Sequence, residues 1–64
     1  MIERANIPFE VYDNSAGGRT GIAFPIEGSD YLLLMHTSTR DIETTTCYGY
    51  QFLTHKELAR DGWK

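Results

Sequence analysis

Cysteine is almost missing from this sequence: Cys47 stands alone, so no intrachain disulfide can form. The cysteine framework with which small secreted domains compensate for a small core is therefore excluded. Soft metal ligands are equally scarce. Cys47, His36 and His55 include no pair at the close spacing of a structural zinc site, and neither a metal nor another cofactor is expected. Long apolar runs are also lacking. The longest, Tyr31 to Met35, is far too short to span a bilayer. The start Met1-Ile2-Glu3-Arg4 lacks the basic and apolar stretch of a signal peptide. These absences predict a soluble, cytoplasmic protein with no membrane partner. Charge is modest and scattered, nine acidic residues against six basic for a net −3, which disfavours general attraction to phosphate backbones.

The 64 residues suffice for one domain, expected to span 1–64, with no repeat, low-complexity tract or linker. The Met1 start and capped end read as a complete small gene product. At this size one core supplies only about 3–5 kcal/mol of net stability. With disulfide and metal set aside, self-association into a homodimer is the stabilising route left open.

What is present is β pattern. Ile7, Phe9 and Val11 alternate with Pro8, Glu10 and Tyr12, the period of two of a half-buried strand. Pro8 cannot donate a ladder hydrogen bond, which predicts an edge position or a strand that begins there. The run 13–18, Asp-Asn-Ser-Ala-Gly-Gly, predicts a flexible reversal longer than a tight hairpin, and it lacks the Lys-Ser/Thr pair and following helix of a phosphate-binding loop. Ile22, Phe24 and Ile26 alternate with Ala23 and Pro25 in a second strand whose apolar set can face the first. After a turn at 27–30, Tyr31-Leu32-Leu33-Leu34-Met35 is apolar on both faces and is expected at the centre of the sheet. The threonine-rich stretches around 37–39 and 44–46 are expected to pair across a hairpin into a strand over 44–52, with a semi-buried Cys47 and a bulge or close approach at Gly49.

The end of the chain carries the most specific local signal. Thr54 followed by Glu57 forms a capping box, and Leu53 with Leu58 a hydrophobic staple. Gly62 suits a left-handed ending that sets Trp63 against Leu58. A helix over about Thr54 to Asp61 follows. The fold class is α+β and β-rich: an antiparallel sheet of about four strands, a meander or small half-open barrel, with one short C-terminal helix.

No catalytic, metal or nucleotide motif stands out. His36 and His55 are the only imidazoles to serve Cys47 or a serine, and nothing in their spacing joins them, so an enzyme ranks third among the readings. The segment Cys47-Tyr48-Gly49-Tyr50-Gln51-Phe52 superficially resembles the aromatic strand of cold-shock and OB-type domains, which implies stacking on single-stranded nucleic acid. Flanking lysines are absent, with only Arg19 and Arg40 nearby, so this is the runner-up. The leading reading is protein binding. One short helix cannot cover both faces of a four-stranded sheet, and the uncovered face would form an apolar patch of the kind that marks interfaces. The surface expected there comprises Tyr31, Leu33, Met35, Tyr48 and Tyr50, with Arg40, Asp41 and Glu43 beside it. A small, acidic chain without an active site is similar in type to inhibitors that phages and plasmids make against host enzymes, anti-CRISPR proteins among them. That likeness implies a partner such as a nucleic-acid-processing or defence enzyme, with acidic turns (Glu10, Asp13, Glu27, Asp30, Asp41 and Glu43) imitating phosphates.

Overall fold

A computed structural model describes residues 8–64. Ile7, expected to open the first strand, and the Met1 to Arg4 start lie outside the described residues. The chain folds as β1 (Glu10–Asn14), β2 (Arg19–Pro25), β3 (Tyr31–Thr37), β4 (Cys47–Thr54) and α1 (His55–Arg60). The strands form one antiparallel sheet in the order β1-β2-β3-β4, a meander that does not close into a barrel. β1 takes the expected edge position, with Pro8 just ahead of it. β3 is an inner strand, as expected, but only one of its two apolar faces is buried: Leu32 and Leu34 are fully enclosed, whereas Tyr31 is exposed and Leu33 and Met35 are half-buried, because the single helix covers one face alone.

Local chemistry sets the boundaries. Asp13 and Asn14 belong to β1 rather than to the loop, so the reversal is the tighter turn 15–18, with Gly17 and Gly18 at positive φ. The strand expected over 44–52 begins instead at Cys47. Thr45 Oγ1 accepts the N–H groups of Ser38 and Thr39 at 3.1 and 2.9 Å, and Ser38 Oγ accepts that of Thr46 at 3.0 Å. One ladder-like bond persists, Ser38 N–H to the Thr46 carbonyl at 3.0 Å, but hydroxyls share that N–H and take those of Thr39 and Thr46, the competition to which Ser and Thr are prone. The expected bulge is present: His36 pairs with Gly49 but Thr37 with Cys47, leaving Tyr48 as the extra residue. The space a Cβ would occupy at Gly49 is empty to 4 Å, so no close approach on that side requires glycine there.

The helix starts and stops as its caps dictate. Glu57 N–H donates to Thr54 Oγ1 at 3.2 Å and Thr54 N–H donates to Glu57 Oε1 at 2.9 Å, closing the capping box. At the other end, Trp63 N–H donates to the Leu58 carbonyl at 3.0 Å and Gly62 N–H to that of Ala59 at 3.2 Å, with Gly62 at φ +92°. This is a Schellman ending, and its characteristic apolar contact is supplied by Leu58 and Trp63. Leu53, Leu58 and Trp63 join Ala23, Leu32 and Leu34 in the core, with half-buried Tyr12 packed against them. Gly21 makes room for the indole: a Cβ there would lie 2.8 Å from Leu34 Cδ1 and 3.1 Å from Trp63 Cζ3. Buried Asn14 ties the two halves together, donating from Nδ2 to the Asp61 carbonyl and accepting from Ala16 N–H, each at 3.0 Å.

Candidate interaction surface

Strand alternation and register separate two faces. Leu32, Leu34, Leu53 and Ala23 point toward α1 and Trp63, which cover them. On the opposite face, one row across the sheet reads Val11, Ile22, Met35, Tyr50, and the next reads Phe24, Leu33, Phe52. Ile22 is fully buried in this face, whereas the side nearer β4 is open. Tyr31, Tyr50 and Phe52 are 51, 67 and 59% exposed, beside half-buried Leu33 and Met35. Tyr50 and Phe52, two apart on β4, meet edge to face at 6.1 Å, and Phe9 stacks obliquely on Phe24 at 5.9 Å.

Of the expected surface residues, Tyr31, Leu33, Met35 and Tyr50 therefore share one face. Phe52, Phe9 and Phe24 complete it; alternation already places Phe52 on the face of Tyr50, but none of the three belongs to the expected interaction set. Tyr48 is highly exposed, but the bulge removes it from the row; it borders a depression at the end of the sheet with Arg19, His36 and Thr37. Arg40, Asp41 and Glu43 lie in the loop after β3, while Tyr31 opens that strand, so the two ends stand roughly 20 Å apart at ~3.3 Å per residue. Arg40 is paired with Asp13. Asp41 shapes its own loop, accepting Glu43 N–H at Oδ1 (3.0 Å) and Thr44 and Thr45 N–H at its carbonyl. The acidic residues do not gather: Glu27 and Asp30 occupy the turn at one end of β3, and Asp41 and Glu43 the loop at the other.

Two guanidinium groups lie away from the aromatic row. Arg19 lies over the Trp63 ring at 5.7 Å on the helix side, and Arg60 approaches Glu57 and Asp61 at 3.8 Å. Among the described residues no hydrogen bond joins the candidate catalytic groups to one another. Cys47 is exposed rather than semi-buried, because β4 is an edge strand, and its thiol donates to the Gly49 carbonyl at 3.3 Å. His36 packs edge-on against Trp63 at 5.7 Å, and His55 Nε2 lies 3.1 Å from Glu10 Oε1. The same Glu10 oxygen accepts the Tyr12 hydroxyl at 2.8 Å. Its carboxyl is held below its ordinary range, first by Tyr12 and then by His55. Partial burial, reinforced by that carboxylate, pushes the Tyr12 phenol up to about 12. This trio ties β1 to the start of α1. Among the described residues no three His, Cys, Asp or Glu side chains converge as a metal cradle.

The fold and its surface define a small α+β protein with one sheet face covered by the helix and the other open on its β4 side. No protein family matches the chain, and neither a curated protein nor a solved structure is significantly similar to it. Among the described residues no helix is long and apolar enough to cross a membrane.

Proposed function

We propose that this chain works by binding another protein, as a small inhibitor or accessory factor, through the open face of its sheet. The observation that carries the reading is the exposure of Tyr31, Tyr50 and Phe52 beside Leu33 and Met35, five neighbours without a charge among them. Covering such side chains gains about 25 cal/mol per Å² of apolar area removed from water, and tyrosine is among the commonest anchors of interfaces. The loop bearing Asp41 and Glu43 flanks one end of the sheet, and the chain has a net charge of −3. Both favour a partner with basic residues beside its apolar patch, as in the groove of an enzyme that processes nucleic acid, including host defence enzymes. Single-stranded nucleic acid is the competing occupant, since Tyr50 and Phe52 could stack on bases. Against it, among the described residues Arg40 is paired with Asp13 and Arg19 lies over Trp63 on the helix side.

Two measurements test the reading together. Affinity purification from host cells, quantified by mass spectrometry, should recover a partner with the natural chain that is lost with the Tyr31→Ser, Tyr50→Ser, Phe52→Ser triple variant. The variant should keep the natural circular dichroism spectrum. Titration with short single-stranded oligonucleotides should give no salt-dependent binding. An identical partner set for both proteins refutes the surface, and oligonucleotide affinity that falls as salt rises favours nucleic acid instead.

A further inference from the structure

One edge of the sheet is paired at its end and carries charge, and the other has neither guard. Along β1, Asp13 N–H donates to the Lys64 carbonyl and Lys64 N–H to that of Asp13, both at 2.9 Å, while Asn14 bridges to Trp63. Glu10 and Asp13 add charge to that edge. Along β4, among the described residues no strand pairs with the outer side. The strand, Cys47-Tyr-Gly-Tyr-Gln-Phe-Leu-Thr54, contains no charged residue and no proline, the two commonest guards against edge pairing.

The direction of the free backbone groups follows from the turn before β3. Ile26 N–H donates to the Tyr31 carbonyl at 3.1 Å, so Tyr31 faces β2 and, by alternation, Leu32 and Leu34 face β4. Their partners Leu53 and Gln51 are bonded inward, which leaves the N–H and C=O groups of Tyr50 and Phe52 directed outward. α1 does not obstruct them: it leaves Thr54 over the covered face, where His55 reaches Glu10 on β1.

We propose that β4 is the seam of a homodimer, two copies pairing edge to edge and antiparallel about a two-fold axis at Gln51. The occupant is a second copy because the strand complements itself. Around Gln51 the symmetry sets Tyr50 of each copy opposite Phe52 of the other, matching outward donors with outward acceptors and aromatic with aromatic. It brings no charge against like charge and leaves the bulge at Tyr48 outside the central pairs. Both helices lie on one side of the joined sheet, and the two open faces become continuous on the other. The proposal rests on the backbone edge and stands whether or not the open face binds a partner.

The test uses charge at the axis. Gln51 is exposed on the helix-side face, so its substitution leaves the open face intact. Sedimentation equilibrium of the natural chain should give twice the chain mass in the micromolar range. Gln51→Lys and Gln51→Glu, each placing like charges opposite one another, should weaken the dimer roughly tenfold or more. Mixing the two variants should restore it, which a folding defect in either would not allow. A natural chain that stays monomeric throughout overturns the proposal, as does a dimer that both variants retain or a mixture that fails to reassociate.

Discussion

Replacing Trp63 with alanine should unfold most of the protein at room temperature. The indole is 5% exposed, joins Leu58 and Leu34 in the core, and carries the guanidinium of Arg19 and the edge of His36 on its flanks. A buried aromatic removes about 150–250 Å² from water, which at ~25 cal/mol per Å² corresponds to roughly 4–6 kcal/mol. Measured truncations of buried aromatics cost about 3–5 kcal/mol. Gly21, directly beneath the ring, has no side chain to move into the hole. A domain of this size has about 3–5 kcal/mol in total, so the loss consumes nearly all of it. Trp63 is the sole tryptophan, so urea unfolding of the variant must be followed by far-ultraviolet circular dichroism rather than indole emission. With a slope of about 1 kcal/mol per molar urea, the midpoint should fall by ~3 M or the folded baseline should vanish. Trp63→Phe should recover part of the loss. A midpoint unchanged by the alanine substitution would refute the role of the ring as the clamp between sheet and helix.

Gly21→Ala should destabilise by about 1–3 kcal/mol through overpacking against Leu34 and Trp63, with a blue or red shift of indole emission as the ring is displaced; natural emission and stability would show that the space is not tight. Asn14→Ala should cost about 1–3 kcal/mol in urea unfolding, because the Asp61 carbonyl loses its side-chain donor and the turn loses its anchor. Alkaline titration of tyrosine absorbance should contain a step near pH 12 that Tyr12→Phe removes; since the unfolded chain releases that proton first, stability should fall as pH rises from about 10 toward 12. The folded-state advantage of the Glu10 carboxylate has the opposite sense, present above its ordinary titration range and lost as pH falls through the lowered value, so Glu10→Gln should flatten the acid limb of the stability curve.

The helix was legible because its signals are local. Thr54, Glu57, Gly62 and Trp63 act through hydrogen bonds within a few residues of one another, so their spacing alone determines the geometry. The strands were legible as periods of two, and their order followed because a meander joins neighbours by short turns. The start of β4 was not, since Thr44 to Thr46 have the composition of a strand, while the N–H groups of Thr39 and Thr46 go to the hydroxyls of Thr45 and Ser38 and only the Ser38–Thr46 backbone bond continues the pairing. The candidate surface was partly legible. Alternation groups Tyr31, Leu33 and Met35, but which face stays open depends on where α1 lands, a tertiary outcome of Trp63 settling over Gly21. Tyr48 falls outside the group because it is itself the extra residue of the bulge that Gly49 signals, and the glycine does not say which neighbour is displaced from the row.

The placement of the lone indole gives the molecule a built-in optical separation of folding from binding. Trp63 sits against the covered face with an imidazole and a guanidinium on its flanks, while the exposed aromatics across the sheet are tyrosine and phenylalanine. Excited near 295 nm, the protein reports only on the docking of its C-terminal clamp. A partner without tryptophan that settles on the tyrosine-bearing face should leave that emission unchanged while altering tyrosine absorbance, and a ligand that loosens the fold should do the reverse. One sample in one cuvette can therefore distinguish recognition from unfolding without any label.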